Sequence, residues 1–311
     1  MESITKTVIE QETLDGIIRE RLGAELSGFT ELKDGWFNTT YRVDLTNGKS
    51  VVLKAAPPDG VPVMRYEHDI LRSELKVMEL LRSRTKIPMP TVLAVDFSRS
   101  LLHLEFYLME CVDGDFLNSV QDQLPPAELA QIRRHMGKTL REINAIPGET
   151  FGSIADPSGS SWRESFVNMM EDIVLDGEAS PVELDYDAIR RVVESHASSL
   201  DEAREPWLVH WDLWEGNVAV KDGRISSVID FERSFWGDPL METNWMGPTS
   251  EFIEGYGTDL RQQPAARERR LLYDLHLYTI MQIEGWYRRF TDLRGVQYAQ
   301  GKFAETMAAL G

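Results

Sequence analysis

Two β-prone runs, Asn217-Val218-Ala219-Val220-Lys221 and Arg224-Ile225-Ser226-Ser227-Val228-Ile229-Asp230, meet at Asp222-Gly223. An Asp-Gly pair between such runs signals a type I′ hairpin, because both central residues need φ > 0 and both tolerate it. The turn fixes the pairing: Lys221 with Arg224, and therefore Asn217 opposite Val228. On that register Val218, Val220, Ile225, Ser227 and Ile229 share one mostly apolar face, while Asn217 and Asp230 share the other. The two polar residues become diagonal neighbours, with Cα atoms roughly 7–8 Å apart. Oxygen donors at that separation can reach one hard cation, and Mg²⁺ takes only one or two protein oxygens while water and phosphate complete its shell. Asp212, in the loop just before, is expected beside that metal.

The segment as a whole carries His210-Trp211-Asp212, then Asn217, then Asp230-Phe231-Glu232, then Gly237-Asp238-Pro239. In phosphoryl transfer a loop Asp accepts the proton of the acceptor hydroxyl, a downstream Asn binds Mg²⁺, and the Asp of a following Asp-Phe-x motif bridges metal and phosphates. All three positions are filled, in order. The pattern resembles the aminoglycoside phosphotransferase and choline kinase branch of the kinase-like fold, which usually reads His-Gly-Asp-Leu-x-x-x-Asn and then Ile-Asp-[Phe/Trp]-x-x-x-x-x-Gly-Asp-Pro. The chain departs from it at Trp211, where Gly is usual, and at Glu242, where an Asp often follows Gly-Asp-Pro. The resemblance implies Asp212 as the catalytic base and Asn217 and Asp230 as metal ligands, with His210 bracing the loop.

Upstream, Thr39–Leu45 and Ser50–Lys54 are β-prone and joined through Asn47-Gly48, a second hairpin signal. The loop before them, Lys33 to Asn38, stands where a kinase-like fold covers nucleotide phosphates. It lacks the protein-kinase G-x-G-x-x-G, but Gly35 and Asn38 match the Gly-x-x-Asn often found in the antibiotic kinases. Lys54 ends an apolar strand, where an ammonium is costly unless an anion meets it. A helix is predicted over 65–84, with Ile70, Leu71, Leu75, Val77, Met78, Leu80 and Leu81 on its buried side and Glu74 among them. By resemblance Lys54 holds the α/β phosphates and Glu74 orients it. Glu67 competes for that role. Thr91–Val95 and Leu104–Met109 read as further strands, and Glu110 and Val112 resemble the segment whose backbone reads the adenine edge.

Beyond residue 111 the pattern turns helical, over 127–146, 162–175, 184–200 and 268–290, with a Gly-, Pro- and Ser-rich loop at 147–161. The expected fold is therefore α+β and protein-kinase-like. A first lobe over 1–110 holds a five-stranded antiparallel sheet and one long helix and binds nucleotide. A mostly helical lobe over 111–311 is catalytic and binds the acceptor.

The single cysteine, Cys111, rules out an internal disulfide and a cysteine-built zinc site. Net charge is −18, which opposes binding to nucleic acid or an anionic membrane. More than half of it falls between Glu149 and Glu205, where fourteen acidic residues face four arginines for a balance of −10. No window approaches eighteen consecutive apolar residues and the N-terminus has no apolar signal core, so a cytoplasmic protein is expected.

The reading is thus a phosphotransferase moving the γ-phosphate of ATP or GTP, with Mg²⁺, to a hydroxyl of a small and cationic acceptor such as an aminoglycoside. Two rivals stand beside it. Ketosamine kinases share Asp-Leu-Trp-x-Gly-Asn, which Asp212 to Asn217 fits, although their usual Asp-Pro metal motif is Asp230-Phe231 here. A nucleotide-binding regulator without turnover is the other. Neither the acceptor nor the oligomeric state can be read from the sequence.

Overall fold

The computed structural model describes residues 3–33 and 35–311, so Met1, Glu2 and Asp34 of the loop at 33–38 lie outside the described residues. In chain order the elements are α1 (Gln11–Leu22), β1 (Leu26–Glu31), β2 (Thr39–Leu45), β3 (Ser50–Ala55), α2 (Ile70–Arg84), β4 (Val92–Asp96), β5 (Phe106–Glu110), β6 (Asp115–Phe116), α3 (Leu117–Val120) and α4 (Pro126–Ile143). They continue with β7 (Gly152–Ser153), α5 (Trp162–Glu178), α6 (Tyr186–His196), β8 (Trp207–Val209), β9 (Val218–Lys221), β10 (Arg224–Val228), β11 (Phe235–Gly237), α7 (Ser250–Tyr256), α8 (Ala266–Tyr287) and α9 (Arg294–Leu310). The fold is α+β, as expected.

The chain divides into two compact units: Met1–Val63 with Pro90–Val112 and Glu284–Leu293, and Met64–Met89 with Asp113–Ile283 and Arg294–Gly311. The first holds an antiparallel five-stranded sheet in the order β1-β2-β3-β5-β4. Alternation builds it. Thr39, Tyr41, Val43 and Leu45 point inward along β2, and Val43, Leu53 and Phe106 join Leu14, Ile17 and Ile18 of α1 in one core. β3 is buried over its last five residues, consistent with its place between two neighbours.

The helix predicted over 65–84 is interrupted. A 3₁₀ turn at Arg65–Glu67 gives way to Asp69, whose left-handed φ of 58° starts α2 afresh. α2 belongs to the second unit, where it packs on the 3₁₀ turn Phe231–Arg233.

The second unit buries an aromatic cluster around Trp162, which stacks on Phe235 at 5.8 Å and meets Phe166 at 5.9 Å and Tyr273 at 6.1 Å. Its small sheets, β10-β9-β6 and β7-β11-β8, hold much of the stretch 207–237. Among the described residues no helix is long and apolar enough to cross a membrane.

Candidate active site

The Asp222-Gly223 turn forms as type I′ requires, with φ of 50° and 71°, and Lys221 pairs Arg224 as the sequence demands. The register then slips. After Ile225 pairs Val220, Ser227 pairs Ala219 and Val228 pairs Val218, so Asn217 does not lie opposite Val228. A β-bulge at Ser226 is the cause: one extra residue moves everything beyond it by one position and reverses its face. Asp230 has left the strand with φ 69°, so its aim is set by that conformation and not by the pleat. The expected two-residue polar face is thereby corrected. Asn217 Nδ2 instead donates to Asp212, to its backbone oxygen at 2.8 Å and to Oδ2 at 3.2 Å.

The loop that presents Asp212 is held from below by Glu242. This carboxylate is fully buried and accepts from the backbone N–H of His210 (2.8 Å), from that of Trp211 (2.7 Å) and from Asn144 Nδ2 (3.0 Å). Burial pushes its carboxyl up to about 7, against the three donors, which favour the charged form. The longer Glu therefore does reach the loop where an Asp is usual. His210 is also buried, pulled down to about 4 by desolvation. As a neutral ring it accepts the Asp212 N–H at Nδ1, 3.3 Å away. Trp211 sits at φ 69°, a conformation that glycine adopts freely and a bulky residue does not, which gives Gly a physical reason at that place in the family pattern.

Gly237-Asp238-Pro239 buttresses the same region. Asp238 Oδ2 accepts from Arg269 Nη1 and from Tyr273 Oη, each at 2.7 Å, and Tyr273 Oη accepts from Trp162 Nε1 at 2.7 Å. A Cβ on Gly237 would lie 2.5 Å from the Trp162 ring, so the close approach excludes any larger residue there.

Asp230 meets different company. One carboxylate oxygen from each of Glu74, Asp230 and Glu232 lies within 4.8 Å of the others, with Glu74 and Glu232 buried. The packing of α2 on the turn after Asp230 brings Glu74 there. Glu232 was not singled out from the sequence, although the third position of Asp-Phe-Glu was its signal. Glu242 stood out in the sequence only as a departure from the family pattern, and Asn144 had no signal at all, since its role is visible only once the loop is folded.

Within the first unit, Lys54 is buried on β3 between Thr40 and Tyr107, Asn38 is buried, and Gly35 is exposed with open space about it. Glu110 ends β5, exposed, its N–H donating to Thr91 O at 2.9 Å, and Val112 follows half-buried. Near the catalytic loop in the second unit, a cavity of about 280 Å³ is lined by Trp214, Glu215, Asn244, Met136, Phe252 and Arg133.

Residues 28–276 match the model of the phosphotransferase enzyme family. The chain belongs to that family. It is 27% identical over 165 residues, half of its length, to a subtelomeric hrmA-associated cluster protein of Aspergillus fumigatus. It is 25% identical over 254 residues, 77% of its length, to mouse acyl-CoA dehydrogenase family member 10. The matched stretches cover 31% and 22% of those relatives, so the chain spans about a third of their length or less. Among solved structures it is similar to aminoglycoside phosphotransferase APH(4)-Ia in a complex with ADP and hygromycin B, with TM-score 0.67, 20% identity, and coverage of 96% of this chain and 98% of that one. It is equally similar to a candidate fructosamine-3-kinase of Thermobifida fusca, with TM-score 0.68, 20% identity, and coverage of 97% and 99%. At these identities the structures establish a shared fold.

Proposed function

We propose that this phosphotransferase moves the γ-phosphate of ATP, with GTP as an alternative donor, to a hydroxyl of a small acceptor. The observation that carries the reading is the loop at 210–217: Glu242 holds its backbone by two N–H groups and Asn217 ties its far end to Asp212. Such a loop keeps one carboxylate fixed for a hydroxyl proton, and catalysis by positioning needs that. Asp212 is the base, and Lys54 holds phosphate in the first unit, with Gly35 and Asn38 covering it and the Glu110 and Val112 backbone meeting the nucleobase. Residues 1–110 then serve the nucleotide and 111–311 the acceptor.

The donor set of Asp230, Glu74 and Glu232 suits Mg²⁺, since a hard cation takes carboxylate oxygens and three carboxylates gathered within 4.8 Å invite positive charge. Asp230 from that group and Asn217 from the loop are the proposed ligands, and Glu74 and Glu232 add negative charge beside Asp230. The ion would neutralise charge on the phosphates, and the protein's own part is to fix the acceptor hydroxyl against Asp212.

The acceptor is cationic on this reading and binds between the acidic stretch 149–205 and the end of the catalytic segment. Part of that acidity is matched internally, because Arg190 is shared by Glu171 and Glu178. A ketosamine acceptor is the second reading, favoured by Asp212-Leu213-Trp214-Glu215-Gly216-Asn217 and by the half-exposed Trp214 of the cavity beside the loop. Coupled ADP release, screened over aminoglycosides, macrolides, sugars, amino alcohols and fructosamines with and without Mg²⁺, tests all of this. Turnover with a cationic acceptor whose KM rises with salt is the expected result, as the Debye length falls from about 10 Å at 0.1 M to about 3 Å at 1 M. A neutral acceptor indifferent to salt removes the cationic assignment. Nucleotide binding with no turnover on any acceptor leaves the regulator.

A further inference from the structure

The loop before β2 is not shaped by glycines. It has Gly35 alone, and its two aromatic residues are held by a stretch some 250 positions later in the chain. The Arg288 guanidinium lies 5.3 Å over the Phe37 ring, and Phe290 meets Trp36 edge-on, centroids 5.6 Å apart and planes at 80°. All four residues belong to the first unit, although α8 begins in the second. Arg288 is itself fixed by Glu284 at 2.5 Å, both side chains being buried. The chain then doubles back: Arg289 N–H donates to Trp286 O and Phe290 N–H to Gly285 O, with Arg289 at φ 51°. This is a Schellman turn with arginine in the position glycine favours, so surrounding contacts must fix the turn that delivers Phe290. The N-terminal segment adds a second hold, as Thr5 Oγ1 donates to Phe37 O at 2.7 Å.

We propose that Glu284–Leu293 is a brace that sets the phosphate-covering loop, with Arg288 and Phe290 as positioning residues for nucleotide binding. The proposal rests on the reading of that loop and Lys54 as the nucleotide site. A loop released from its brace spends only part of its time in the competent shape, and apparent nucleotide affinity falls by that fraction. Asp212 and the acceptor-binding groups proposed for the second unit are untouched.

A double-mutant cycle on Trp36→Ala and Phe290→Ala tests it, both side chains being partly exposed so that the fold is retained. The readouts are the Kd for Mg²⁺ with a non-hydrolysable ATP analogue, the KM for ATP and for the acceptor, and kcat. Each single variant should raise the nucleotide Kd about three- to tenfold, the scale of an edge-to-face aromatic contact. The double variant should raise it no further, and acceptor KM and kcat at saturating ATP should hold. Glu284→Gln with Arg288→Met, which removes the buried pair without stranding a charge, should give the same selective rise. Lys54→Ala separates this inference from the reading beneath it. Unweakened nucleotide binding in Lys54→Ala overturns the nucleotide site itself. Weakened binding there, with Phe290→Ala at wild-type affinity, overturns the brace alone. Effects that multiply in the double variant, or an acceptor KM that moves with that for ATP, also overturn it.

Discussion

Glu242 and Asp230 stand twelve residues apart on one segment, and their surroundings are opposite. Glu242 accepts from three N–H donors, two from the loop at 210–217 and one from Asn144. Asp230 is met by two more carboxylates, Glu74 and Glu232. The first arrangement is completed by the protein and serves to hold backbone. The second gathers three carboxylates within 4.8 Å of one another, and on our proposal Mg²⁺ joins them. A carboxylate that accepts from backbone N–H groups acts as a strut, whereas one grouped with other carboxylates is a candidate for holding a cation.

The sharpest break of that contrast is Asp230→Ala. It should abolish turnover and the thermal stabilisation that Mg²⁺ gives, while the protein still folds because no apolar core side chain is removed. Wild-type turnover in the folded variant would remove Asp230 from the metal site. Asp212→Asn comes next, with kcat lowered on the order of 10²–10⁴ as for the loss of a general base, and nucleotide Kd little changed. If nucleotide binding fails and the chemical step does not, Asp212 belongs with the phosphate ligands.

Glu242 sharpens the other side of the comparison through pH. Its folded carboxyl, pushed up to about 7, lies above the ordinary 4.5. The folded state therefore holds a proton that the unfolded state has released between those values, and Glu242's contribution to stability declines as pH rises from 4.5 to 7, by at most about 1.4 kcal/mol per pH unit. Turnover should move the other way, because only the charged form accepts all three donors: kcat should fall on acidification through about 7. Glu242→Gln should flatten both profiles at a lower rate. An acid limb that survives unchanged in this variant assigns the titration to another group.

Legibility in the sequence followed local rules and stopped where they compete. β2 and β3 were readable because period-two alternation and a turn signal agree. At the second hairpin the turn was right and the register beyond it was not, since nothing in Ser226-Ser227 distinguishes a bulge from a regular pair. The helix at 65–84 was readable by its apolar spacing, but the break at Asp69 depends on packing that spacing does not encode. Asp212, Asn217 and Asp230 could be chosen because a chemical motif names them. Asn144 is 68 residues from Asp212, and only tertiary structure brings its amide under the loop.

Trp211 should have the smallest effect on turnover. Its left-handed backbone costs about 1–3 kcal/mol in a residue with a side chain, and Trp211→Gly would relieve that. The side chain, however, packs edge-on against His276 at 5.4 Å and Phe235 at 6.5 Å, with the Arg233 guanidinium 5.5 Å from its ring. Losing a buried aromatic costs about 3–5 kcal/mol, so packing wins and Tm should drop. The Trp211 N–H bond to Glu242 is backbone and survives the substitution, so the loop keeps its strut. In the folded fraction kcat should then stay within about tenfold of wild type, a change of less than about 1.4 kcal/mol in the barrier. A rise in Tm would show that the strained backbone outweighs the packing. A collapse of kcat to the level of Asp212→Asn in well-folded protein would show that the indole itself positions a reacting group.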